Sequence, residues 1–159
     1  MENSNKYLTF TKYFIIFTFF VALTSNVFSI INFLNNDLSH GIWNFSNKGV
    51  YYFIAFILQF ILILLILIFT YQLMKKVDIK DYFNSINYGK LFLIANFTLI
   101  YAGLNLLKKY LDAPVEYRTL LDTTVDTNQL LFILAIVILT SLDIYDESKK
   151  IKEENDLTI

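Results

Sequence analysis

No cysteine occurs anywhere in the chain, which excludes disulfides, thiolate metal centres and a cysteine nucleophile. Histidine is nearly as scarce. His40 stands alone, so a multi-histidine metal centre within one chain is excluded as well. There is one proline, Pro114, and only four glycines. No glycine-rich phosphate loop, His-Glu-x-x-His or Gly-x-Ser-x-Gly run is present, and nothing pairs with a nucleophile. The expectation is a non-enzymatic chain with no cofactor and no metal. An excess of charge of one sign is also lacking, with 13 basic residues against 14 acidic ones. The basic footprint of a nucleic-acid-binding domain is therefore missing, and no direct nucleic-acid binding is expected.

What the chain has in abundance is apolar surface. Of its 159 residues 56% are hydrophobic and 18% aromatic, with a mean hydropathy of +0.52. That length suits one compact domain, but a small water-soluble domain has too much surface for its volume to bury so large an apolar share. Lipid is the solvent that fits. Twelve of the 13 basic residues are lysine, and Ile, Asn and Phe are frequent. This bias points to an AT-rich bacterial genome and hence to a bacterial cytoplasmic membrane.

Four apolar runs stand out, at about 13–34, 50–73, 88–107 and 129–145. The first two carry no charge, the third only Lys90 near one end, and the fourth only Asp143. A spanning helix needs roughly 20 apolar residues, within a range of about 17–25. All four qualify, the last at the short limit. Membrane-barrel strands alternate apolar and polar residues, whereas 60–69 is apolar on both parities. The first run is too long for the apolar part of a cleaved leader, and it holds Asn26 and Asn32 where small residues would be wanted. The fold expected is all-α: a single membrane domain, a bundle of four transmembrane helices, with a loop over 74–87 and a tail over 146–159.

Orientation follows from the lysines. Lys6, Lys12, Lys75, Lys76, Lys80, Lys90, Lys149, Lys150 and Lys152 fall on one side, against Lys48, Lys108, Lys109 and Arg118 on the other. Nine against four places both termini, the 74–87 loop and the tail in the cytoplasm. Tyr13, Trp43, Tyr51, Tyr71, Tyr88, Tyr110 and Tyr145 mark the water interfaces.

Two spans carry polar faces. Ala22, Ser25, Ser29 and Asn32 recur at i, i+3, i+7 and i+10, and Ala95, Thr98, Ala102 and Asn105 repeat that spacing. Small and hydroxyl residues let helices approach closely, and Asn can bond across the contact. The leading reading is a pair of packing seams. The sharper one is a polar site at the bundle centre, completed by Asn26, Gln59 and Asn96. The shared spacing also fits either chance or an old duplication of a two-helix unit. No carboxylate lies mid-span, so the usual mark of ion coupling is missing. Asp143 reads first as an interfacial charge.

Outside the membrane, Asp112, Glu116, Asp122 and Asp126 offer hard oxygen ligands, but their spacing matches no calcium loop. Lys108, Lys109 and Arg118 sit among them, and a solvated charged loop is the favoured reading. His40, near Trp43, is a lone interfacial histidine that could report external pH. In the 74–87 loop, Asp81 is placed to cap a short helix that turns Tyr82, Phe83 and Ile86 toward the membrane. The tail continues the fourth span as a charged helix, with the pair Asp146–Lys150 in the favourable acid-first order. It reads either as a solvated helix that helps fix topology or as a docking tail.

Two stretches carry a family resemblance: Phe83-Asn84-Ser85-Ile86-Asn87, and Lys152-Glu153-Glu154-Asn155-Asp156-Leu157-Thr158-Ile159. With the four-span layout, they resemble an uncharacterised family of small bacterial membrane proteins, classed as a domain of unknown function. That family often begins the first stretch with a Gly-x-Pro-Phe-like turn, where this chain has Lys80-Asp81-Tyr82-Phe83. It is often encoded beside a Cro/repressor-type helix-turn-helix regulator. The resemblance thus implies a cytoplasmic transcription factor as partner.

The leading expectation is a membrane protein acting through cytoplasmic contacts, with Phe83, Asn87, Glu153, Glu154, Asn155, Asp156, Leu157 and Thr158 as contact residues. The alternative is a small oligomeric permease or channel built on Ser25, Asn26, Ser29, Asn32, Gln59, Asn96, Thr98 and Asn105.

Overall fold

The computed structural model describes residues 2–41, 44–78 and 85–121, together with Ser148, Lys150, Ile151, Glu154 and Asn155. The expected fourth span, 129–145, lies outside the described residues, as do Phe83, Glu153, Asp156, Leu157 and Thr158.

Among the described residues all regular structure is helical. Helix α1 covers Glu2–Leu34, α2 Lys48–Asp78, α3 Ser85–Tyr110 and α4 Val115–Leu121, with a short 3-10 helix at Asp37–Gly41 between α1 and α2. Long uninterrupted helices follow from the sequence, because no proline falls inside any of them. The apolar residues of α1 and α2 are spread around the helix and not gathered in one stripe, a pattern found in fully buried helices or membrane spans. Among the described residues three stretches are long and apolar enough to cross a bilayer: Thr9–Leu34, Lys48–Lys76 and Gly89–Tyr110.

The surface makes the solvent plain. Phe17 is 64% exposed and Leu99 is 71% exposed, and Phe10, Phe20, Phe28, Phe92, Ile100 and Leu106 are exposed with them. In water each such side chain would forgo about 1.5–3 kcal/mol of burial. Hydrocarbon around the helices removes that cost, and the chain is a membrane protein by this criterion.

α2 is the middle element, packed against both α1 and α3, while α4 rests on α1 and α2. Among the described residues the interior divides into two clusters. One joins Ile15 and Ala22 of α1 to Ile63, Ile66, Leu67, Leu73 and Met74 of α2, and to Ile94 and Tyr101 of α3. The other joins Phe33 of α1 to Tyr52 and Phe56 of α2, and to Ala113, Tyr117 and Leu121 around α4. The first half of α1 thus meets the second half of α2 and vice versa, so the two helices run antiparallel.

Two local features depart from the sequence reading. Helix α2 continues to Asp78 and α3 starts at Ser85, so much of the expected 74–87 loop is helix. The basic side chains at the end of α2 do not stop it, because lysines in a last turn favour the negative end of the helix dipole. The segment after α3, expected to be a solvated loop, holds a helix. α3 closes with the Leu111 amide on the Leu107 carbonyl, and Pro114 then restarts the chain. Its ring biases the residue before it away from helix, while its carbonyl accepts the amides of Tyr117 and Arg118 at 3.1 and 3.3 Å.

Candidate functional site

The polar side chains within the spans are the first place to look for chemistry. On α1, Thr18 Oγ1 donates to the Phe14 carbonyl at 2.8 Å, Asn26 Nδ2 to Ala22 at 2.7 Å and Ser29 Oγ to Ser25 at 3.2 Å. On α2, Thr70 Oγ1 donates to Ile66 at 2.8 Å. On α3, Asn96 Nδ2 and Thr98 Oγ1 donate to Phe92 and Ile94, each at 2.8 Å. Every one of these bonds reaches back four residues along its own helix. That is the local solution available to a short polar side chain where the surroundings supply no other acceptor.

Asn26 and Ser29 of the first expected polar face, and Asn96 and Thr98 of the second, thus donate to their own helices. Asn26 and Ser29 are buried, Ser25 is half-buried and Asn32 is exposed. On α3, Asn96, Thr98 and Asn105 are half-buried. α1 and α3 each pack on α2 and make little direct contact with each other, which does not gather the two faces into one central site among the described residues.

Gln59 behaves differently. It is 2% exposed, and its Nε2 donates across to the Tyr101 carbonyl on α3 at 3.5 Å, the long limit for a hydrogen bond. Its Oε1 is buried with no partner. An unsatisfied buried amide oxygen costs about 1–3 kcal/mol, so Gln59 carries spare hydrogen-bonding capacity inside the bundle.

The end of the bundle that carries α4 is built from aromatic rings. Phe33 stacks on Phe53 with centroids 4.7 Å apart and tilts against Tyr117 at 5.3 Å. Tyr117 lies so close to α2 that a Cβ on Gly49 would sit 2.6 Å from its ring, and only glycine admits that approach. Asn47 Nδ2 donates to the Tyr117 hydroxyl at 3.3 Å. Lys108, grouped by sequence with a solvated loop, is 4% exposed. Its Nζ lies 4.6 Å from the centroid of Tyr52 and 5.4 Å from that of Phe56. The ring faces attract the ammonium while its methylene stem packs on apolar surface. Sequence reasoning missed this because nothing in the local pattern says that Lys108 faces rings more than 50 residues away.

The acids of the third connection do not assemble a cation site among the described residues. Asp112 pairs with Arg118, its Oδ1 3.2 Å from Nη2, and Arg118 Nε also donates to the Ala113 carbonyl at 2.9 Å. Asp122 and Asp126 lie outside the described residues, as does Trp43. His40 is exposed at the end of the 3-10 helix.

Of the expected partner-contact residues, Asn87 is buried at the start of α3, whereas Glu154 and Asn155 are helical and exposed. No family model, curated protein or solved structure matches the chain.

Proposed function

We propose that the chain is a non-enzymatic, multi-pass protein of the bacterial cytoplasmic membrane, acting through contacts of its cytoplasmic segments with a soluble partner. In this reading four spans form one bundle with both termini inside, and the contact surface comprises Phe83 and the tail from Glu153 to Thr158. The partner class is a small helix-turn-helix regulator, which the membrane protein would sequester or signal to.

One observation carries the reading. Thr18, Asn26, Ser29, Thr70, Asn96 and Thr98 of the described spans donate to their own helices, so among the described residues these groups do not line a continuous polar path along which a solute could exchange its hydration. This weighs against the permease alternative and moves the functional surface to the water-facing segments. There Glu154 and Asn155 present side chains to solvent.

Crosslinking and pull-down from native membranes, with the intact chain and with a version lacking Glu153–Ile159, is the test. Recovery of a soluble regulator by the intact chain alone is expected, with membrane insertion equal in both. A regulator recovered equally by both versions, or by neither, would remove the tail from the mechanism.

A further inference from the structure

α1 and α2 do not close fully along their shared edge. Between them lies a groove of about 370 Å³ whose walls include Ile15, Phe19, Leu67 and Ile68, and whose one charged lining residue among those described is Lys75. The walls belong to stretches apolar enough to span a membrane. The groove therefore opens onto hydrocarbon along its length and onto the headgroup layer at the Lys75 end.

That end carries basic side chains. Lys75 and Lys76 occupy the last turns of α2, with Asp78 as the acid that follows them, and Lys75 is exposed. Because α1 and α2 run antiparallel, Lys12, one turn before Ile15 and Ile16, comes to the same end. No acidic residue occurs in α1 beyond Glu2, or in α2 before Asp78. A slot for one hydrocarbon chain thus leads to the Lys75 ammonium.

We infer that this groove is a binding site for an anionic phospholipid, with one acyl chain between α1 and α2 and the headgroup phosphate paired with Lys75. The two halves of the ligand contribute differently. An acyl chain gains no hydrophobic energy by leaving bulk lipid for an apolar groove, so the slot supplies shape and no headgroup preference. Preference comes from the ammonium group, which favours an anionic over a zwitterionic headgroup by about fivefold per lysine near the membrane surface. The site rests on the membrane assignment and is independent of any soluble partner.

The test uses quenching of tryptophan by lipids with brominated acyl chains, in proteoliposomes of phosphatidylcholine containing a minor share of phosphatidylglycerol. The background variant is Trp43→Phe. Phe19→Trp places the fluorophore in the groove, and Ile68→Trp reports the same groove from α2 should the first variant fail to fold. Phe17→Trp, on an exposed face of α1 at nearly the same depth, reports ordinary surrounding lipid. The groove reporters are expected to be quenched about fivefold more effectively by brominated phosphatidylglycerol than its bulk share predicts. Lys75→Gln is expected to abolish that preference, and the Phe17→Trp reporter is expected never to show it. Equal quenching by both lipids in the groove, or a preference that survives Lys75→Gln, would overturn the site. Absence of quenching by either lipid would overturn it too, and would mean that a second copy or another part of the chain fills the groove.

Discussion

The two interior clusters are built by different means. The cluster around Ile63, Ile66 and Leu67 is almost wholly aliphatic, apart from Tyr101 and the partly buried phenylalanines at its rim. The cluster around Phe33, Tyr52 and Tyr117 is aromatic, and polar contacts pin it: Asn47 to the Tyr117 hydroxyl, and Lys108 over two rings. The reason lies in the solvent each cluster would meet if it opened. Aliphatic side chains at membrane depth would trade protein for lipid tails, so only packing holds them together. At the bundle end, water is the alternative, and burial there recovers the full hydrophobic term. Aromatic rings with polar tips suit that boundary because one end is dry and the other bonded.

This comparison can be broken most directly by matched truncations. Tyr117→Ala is expected to destabilise the folded chain by about 3–5 kcal/mol, the cost of removing a large buried aromatic. Ile66→Ala, which would cost about 2–5 kcal/mol in a water-soluble core, should fall clearly short of Tyr117→Ala because its transfer term is missing in lipid. Equilibrium unfolding in mixed micelles, measured on both variants, decides the order. Equal losses would mean that the two clusters are held by the same forces.

A smaller effect is expected at Gly49. The Cβ of Gly49→Ala would sit 2.6 Å from the Tyr117 ring, forcing α4 to shift at a cost of about 1–3 kcal/mol. The same measurement on Gly49→Ala combined with Tyr117→Ala sharpens the point. The glycine substitution should then cost little, because the ring it clashes with is gone. Two full, additive losses would instead place the effect in the backbone.

The smallest effect belongs to Gln59. Its one cross-helix bond is long and its Oε1 lacks a partner, and interhelical hydrogen bonds in membranes contribute only about 0.6 kcal/mol on average. Gln59→Leu is therefore expected to be neutral within about 1 kcal/mol or mildly stabilising. A loss beyond about 2 kcal/mol in the same unfolding assay would show Gln59 satisfied by a bound water or solute. That outcome would put the permease reading ahead of the cytoplasmic-contact reading.

Much of the fold was legible because membrane helices are specified by local composition. Apolar runs of spanning length predict three of the observed helices without any knowledge of their partners, since a backbone in hydrocarbon must satisfy its own hydrogen bonds. The 129–145 run, read by the same rule, lies outside the described residues. What the pattern did not give was the use of individual polar residues. Ser25, Ser29 and Thr98 were singled out by their spacing, yet Ser29 and Thr98 prove to bond within one turn of themselves. Helical periodicity reports which face a residue occupies and not which acceptor its side chain finds.

Lys108 and Gly49 mark the same limit. In the sequence one is a charge beside a loop and the other a glycine near a helix start. In the fold the first lies buried over two rings and the second admits a tyrosine 68 positions further on. Composition and short-range periodicity suffice for the helical class, the apolar solvent and the absence of cysteine and multi-histidine chemistry. The middle place of α2, the return of α4 onto the bundle end and the groove beside Lys75 emerge from the packed helices alone. Those features depend on side chains distant in sequence meeting at contact range, where shape and charge are compared pair by pair.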